Sequence, residues 1–171
     1  GWQAIVAGFG FLTDRFPNPK LSVHEIDKRN KTITFKDKVK IPLKPFAGVM
    51  GVAPNTSEML STIPPRENGG NMDDPSMVEG STIYFPVLVK GALFSIGDAH
   101  AVQGLGEVCG TALEAPMTIT YRLRVIKDGA PIKEPQYETD KFYAVTGFGS
   151  TIDIATKKAV NYMVDHLTAN Y

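Results

Sequence analysis

Short apolar runs of period two, closed off by glycine or proline, recur through most of this sequence, and a helical period occurs only near its end. The clearest run alternates Met117, Ile119, Tyr121, Leu123 and Val125 with Thr118, Thr120, Arg122 and Arg124, the pattern of a strand with one apolar and one polar face. Ala4–Ala7, Lys31–Phe35, Ile83–Val89, Ala92–Ile96 and Lys141–Thr146 read as further strand segments, with turns at Phe16–Pro19 and Lys127–Ala130. The strands between Thr82 and Val125 are expected in a largely buried sheet. Ile152, Ala155, Ala159, Met163 and Leu167 recur at helical spacing behind Ser150 and Asp153, which predicts a capped amphipathic helix over 151–168 covering apolar surface. Residues 47–80 are rich in glycine and proline with little apolar period, and read as one long structured loop. These parts predict an α+β chain that is mainly β, with a sandwich or barrel-type core, a long loop and a C-terminal helix. At 171 residues it should form one compact unit with room for a small attached lobe.

Charge narrows the partners. Lys and Arg total 18, as do Asp and Glu. Without a basic field, nucleic acid is a poor partner, and no apolar run is long enough to span a membrane. Cys109 is the single cysteine, which leaves no intramolecular disulfide or thiolate metal site and fits a reducing cytoplasm. The chain opens at Gly1 in an already apolar stretch and closes at Tyr171, so residues 1–171 read as the central and C-terminal part of a longer domain lacking segments at both ends.

Candidate chemistry concentrates between Asn71 and Glu107. In Phe94-Ser95-Ile96-Gly97-Asp98-Ala99-His100 an extended chain places Phe94, Ile96, Asp98 and His100 in one row. A carboxylate and an imidazole at i and i+2 can reach one cation, and that ligand pair suits zinc or a similar divalent ion. The same pair can equally form a structural hydrogen bond at a strand end. Glu107 follows Gly104 and Gly106, glycines that permit a turn returning it toward Asp98 and His100, where it could move a proton between water and a leaving amine. Alone beside a turn it could also be a solvated surface residue. Glu114 is a weaker candidate of the same kind. Gly69 and Gly70 precede Asn71 and Asp73, which lets this loop press short polar groups against a small ligand, or form a plain turn. Cys109, among glycine and apolar neighbours, reads as an inert buried side chain, although Lys90, Glu107 and Cys109 are the residue types of a cysteine amidase. His24 and His166 read as surface residues.

Three segments in order, Pro45–Pro54, Pro64–Asp73 and Gly97–Gly104 with Gly106-Glu107, resemble the acetamidase/formamidase family. The likeness extends from about Gly8 to the final helix. It implies a soluble, β-rich homo-oligomeric hydrolase that converts small linear amides such as formamide or acetamide to ammonia and a carboxylate. It also implies a divalent metal, zinc by preference, near Asp98 and His100, with Asn71, Asp73 and Glu107 lining the site. Taken with the row from Phe94 to His100, the expected roles are metal ligands for Asp98 and His100, proton carrier for the catalytic Glu107, and substrate binding for Asn71 and Asp73. Chains of that family are longer and begin with a region bearing its own His and Asp motifs, which this sequence does not contain, so the resemblance implies an incomplete metal shell. Two other readings compete with a metal-dependent amidase: a β-sandwich module that binds a small polar ligand without turnover, and an amidase using Cys109 as nucleophile.

Overall fold

The computed structural model describes residues 1–171, which form in chain order β1 (Trp2–Ile5), β2 (Lys20–Val23), β3 (Ile26–Asp27), β4 (Thr32–Phe35), β5 (Val39–Pro42), β6 (Phe46–Gly51), β7 (Gly69–Asn71), β8 (Thr82–Tyr84), β9 (Ser95–Val102), β10 (Leu113–Glu114), β11 (Gln136–Glu138), β12 (Tyr143–Val145) and α1 (Ile152–Asn170). This is the mainly β class the sequence predicts, built from several antiparallel sheets with one C-terminal helix. The predicted single unit divides into two. Gly1–Gly48, Asp73–Glu79 and Gly97–Ile119 make one unit; Val49–Met72, Gly80–Ile96 and Thr120–Tyr171 make the other.

In the first unit, strands run side by side in the order β2, β1, β10, β9 and the start of β6, and β3, β4 and β5 form a separate antiparallel sheet. Ile33, Ala101, Leu113 and Ala115 are buried together, with Ile26, Ile41, Leu43 and Val102 packed on them. That cluster joins the two sheets: full burial of a side chain such as Ile33 contributes about 1.5–3 kcal/mol. Lys44 N–H donates to the Ala101 carbonyl, and Asp73 N–H to that of Gly48. The second bond, a bridge between Phe46 and Val78, and the buried Met77 hold residues 73–79 against β6. The expected loop over 47–80 therefore contains β6 at its start and β7 within it. β6 gave no alternating signal because nearly every residue along it is buried, and a strand covered on both faces reads as a continuous run of small and apolar residues.

In the second unit, β7 pairs antiparallel with Val49–Gly51 of β6, and β11 lies between β8 and β12. β8 stops at Tyr84, shortly before Pro86, which has no N–H for a ladder. Ala92 and Leu93 take positive φ in a turn, so the expected strand at 92–96 begins only at Ser95.

The strand expected over Met117–Val125 pairs with nothing in this chain, and Thr120 to Ala130 are exposed throughout. Alternation records which face a strand could bury; it does not supply the partner edge.

Helix α1 starts one residue beyond the predicted cap: Thr151, not Ser150, accepts from Ile154 N–H, and the helix continues to Asn170. Ala155, Lys158, Ala159, Tyr162, Met163 and His166 form its less exposed side, but none is buried. Ile152 and Leu167, expected on the packed side, are 84% and 49% exposed. Polar contacts help to fasten the helix. Lys158 Nζ donates to Glu134 Oε1 at 2.7 Å and to the Phe148 carbonyl at 2.8 Å, while Phe148 N–H donates to the other Glu134 oxygen. The two remaining histidines are not simple surface residues. His24 Nε2 is buried without a partner, and His166 stacks on Tyr143 at 4.0 Å between ring centroids.

Candidate functional site

The first unit brings one imidazole and four carboxylates together. β9 carries Asp98 and His100, and β10 sets Glu114 opposite His100 at a local shift in the strand pairing. Directly opposed residues on antiparallel strands are close neighbours. His100 is 1% exposed, and its Nε2 lies 3.3 Å from Asp98 Oδ1, 3.3 Å from Glu114 Oε2 and 4.0 Å from Glu107 Oε1. The Phe46 ring meets the imidazole edge-on, with centroids 5.0 Å apart.

The loop after β9 returns as its glycines permit. Gly106 takes φ 79°, Glu107 N–H donates to the Gly104 carbonyl, and Gly110 N–H donates to that of Glu107. The side chain of Glu107 is 16% exposed, which excludes the solvated-surface reading. Asp73, Asp98 and Glu107 have φ of 47°, 56° and 43°. Residues other than glycine seldom hold that left-handed conformation, and such strain gathers where a side chain must be aimed. At Asp98 it interrupts the pleat, so the predicted row from Phe94 to His100 is not an unbroken alternation. Its last two members meet nonetheless.

Gln103 fixes the imidazole. Its Nε2 donates to the Asp73 carbonyl at 2.6 Å, which leaves its Oε1 to accept from His100 Nδ1 at 2.8 Å. Nδ1 therefore carries a hydrogen. Nε2 faces two carboxylate oxygens and must either bear a second proton or offer its lone pair to a cation. A histidine whose far nitrogen donates to a fixed acceptor is the usual arrangement of a metal ligand.

The electrostatics of the cluster favour a cation or protons among its acids. Burial pushes the Glu107 carboxyl up to about 7, with the Asp73 charge and a hydrogen bond between the two carboxyls adding to the rise. Burial also raises Asp73, partly offset by Glu107 and His100, and raises Glu114, partly offset by His100. Asp73 Oδ1 is buried with no hydrogen-bond partner. Four acids packed this way repel one another unless protons or a cation intervene.

The donors fit a divalent ion. Asp73, Asp98 and His100 offer ligand atoms within 4.8 Å of one another, and so do His100, Glu107 and Glu114. Imidazole with carboxylates is a donor set that zinc and similar ions accept. Gly48 forms the floor: a Cβ there would stand 2.5 Å from Asp73 Oδ1, 2.6 Å from His100 Cε1 and 2.9 Å from Asp98 Oδ2.

Among the residues singled out in the sequence, Asp73, Asp98, His100 and Glu107 come together, and the weaker candidate Glu114 joins them at short range. Asn71 belongs to the other unit, where its amide donates to the Ile63 carbonyl at 3.0 Å. Gln103 and Gly48 escaped the sequence reading. A polar residue three positions beyond His100 was the available signal for Gln103; for Gly48 there was none. Cys109, expected to be buried, is exposed, and its Sγ donates to the Thr111 carbonyl.

A sequence profile described as "Acetamidase/Formamidase family" matches residues 56–171. A formamidase of Methylophilus methylotrophus is 41% identical over 87 residues, spanning 48% of this chain and 21% of that protein. An acetamidase of Mycolicibacterium smegmatis is 49% identical over 70 residues, 40% of this chain and 17% of that one. The crystal structure of a recombinant predicted acetamidase/formamidase from Thermoanaerobacter tengcongensis superposes with a TM-score of 0.84 at 30% identity, over 98% of this chain and 55% of that chain. This chain thus spans about half the length of the solved relative.

Proposed function

This chain belongs to the acetamidase/formamidase family, and on that premise we propose that it hydrolyses linear primary amides, formamide and acetamide among them, to ammonia and a carboxylate at the cluster around His100. The observation that carries the reading is His100 Nε2: nearly unexposed, fixed from behind by Gln103, and aimed between carboxylate oxygens of Asp98 and Glu114. Asp98 and His100 are assigned to a divalent ion, zinc by preference. Asp73 joins them, in place of a role at the substrate's polar end, because its buried Oδ1 has no other partner. Bound there, such an ion would supply a Lewis acid for the amide carbonyl and lower the pKa of water toward neutrality.

The chain's own residues do the rest. Glu107, turned back toward the cluster at Gly106 and with its Oε1 4.0 Å from His100 Nε2, is placed to take a proton from water and release it again. As the water oxygen bonds to the carbonyl carbon and the carbon–nitrogen bond breaks, that proton passes to the departing nitrogen, which leaves as ammonia. Gln103 keeps the imidazole in one tautomer through the cycle, and the ring of Phe46 limits water beside it. Metal analysis of the full-length protein, combined with an ammonia-release assay before and after chelation, tests both halves of the reading. Turnover undiminished after the metal has been stripped would refute it.

A further inference from the structure

The first unit also contains a cavity of about 600 Å³ that touches the cluster at one edge. Gln103 and Glu107 form that edge; Ile5, Leu12, Phe16, Ile41 and Leu105 contribute to a lining that is otherwise largely apolar. Its walls are well anchored. Phe11 N–H donates to the Val108 carbonyl, and the Phe9 ring lies so close over Gly110 that a Cβ could not fit between them. Pockets of roughly 300–1,000 Å³ enclose ligands far larger than formamide or acetamide. The ammonia released from a primary amide carries no carbon, so an apolar wall beside the reacting carbon has only the acyl chain to hold.

We propose that this cavity is an acyl-chain pocket, and that the substrates of the site include primary amides with an extended apolar acyl group, of which hexanamide is representative. The inference rests on the hydrolytic reading of the His100 cluster. Glu107 belongs both to the cluster and to the cavity lining, so the residue that carries the proton borders the apolar wall.

Cys109 provides a readout independent of turnover, since it is the single cysteine, is exposed, and lies on the same cavity wall. In the full chain, N-ethylmaleimide alkylation of Cys109 is followed with hexanamide, with acetamide at equal concentration and with neither, and ammonia is assayed in the same samples. Hexanamide should slow alkylation several-fold, acetamide should not, and Leu12→Trp, which fills the pocket, should abolish the protection. Leu105→Trp, at a rim position that is 83% exposed, serves the same purpose should the first variant fold poorly. Equal alkylation rates with hexanamide, acetamide and no addition would overturn the proposal, as would full protection in both folded tryptophan variants. Protection by hexanamide without ammonia from any amide supports the pocket while removing the hydrolytic reading on which its name depends, so the two failures are told apart.

Discussion

Glu114 Oε2 stands 3.3 Å from His100 Nε2, across the pairing of β10 with β9. That separation equals the one on the Asp98 side, so the imidazole nitrogen faces a carboxylate from its own strand and another from the neighbouring strand. Two acceptors aimed at one nitrogen make little sense for a neutral ring alone and good sense around a positive charge. Glu114→Ala should therefore lower metal content measurably, while Glu114→Asp, which retains the charge, should recover part of it. Unchanged metal content in a folded Glu114→Ala protein would remove Glu114 from the site.

Variants at the other cluster residues should differ in kind. In a full-length background, His100→Ala and Asp98→Ala should lose metal and ammonia release together. Glu107→Gln should keep the metal and lose turnover by about 10²–10⁴-fold, the usual effect of removing a general acid–base group. Inductively coupled plasma analysis beside steady-state rates separates the classes. Full metal occupancy and near-normal turnover in His100→Ala would show that the site lies elsewhere.

Gly48 offers a steric test. A single methyl at this position meets Asp73, His100 and Asp98 within 2.5–2.9 Å, so Gly48→Ala should displace donors and reduce metal affinity, with a stability loss of about 1–3 kcal/mol typical of overpacking. Gly97→Ala is the control: a Cβ there meets nothing within 4 Å, and its metal content should match the parent. Equal metal affinity in both variants would mean that the floor of the cluster has room to spare.

The second unit yields a stability prediction. Glu134 is 4% exposed, and its charge is compensated mainly by Lys158, whose side chain is 42% exposed. Lys158→Met would strand the carboxylate, and because one partner is half in solvent the loss should be about 2–3 kcal/mol, at the low end for a broken buried pair. For a chain of this size that lowers Tm by roughly 4–12 °C. Adding Glu134→Gln should recover much of it in a double-mutant cycle; two losses that simply add would show the pair to be uncoupled.

How much of this was legible beforehand follows from what a linear pattern records. The Asp98 and His100 pair could be read because i and i+2 side chains share a face of an extended chain, although the positive φ at Asp98 interrupts that extension, and the return of Glu107 could be read because glycines mark turns. Glu114 could be read only as a weaker candidate and Gln103 only as a polar residue beyond His100, because each depends on pairings made in three dimensions, and the shift at Leu113–Glu114 leaves no trace in composition. Gly48 matters for the space it leaves empty. The error at 117–125 has the opposite cause: the sequence carries a sound strand pattern, but a ladder needs a second edge, and none in this chain meets it.

Cys109 decides between the metal reading and a thiol nucleophile. A nucleophilic cysteine needs a base, or a charge that lowers its pKa, within reach of its sulfur. Here Sγ donates to the Thr111 carbonyl, a neutral backbone acceptor that cannot serve as the general base of a thiol nucleophile. Cys109→Ser preserves the hydrogen bond with a hydroxyl of similar shape, so folding should be unaffected and ammonia release from acetamide should stay close to the parent rate. Alkylation should leave acetamide turnover largely intact, while chelation should abolish it. Loss of all turnover in Cys109→Ser, with folding and metal content intact, would move the nucleophile from water to the sulfur and make the His100 cluster an accessory to that chemistry.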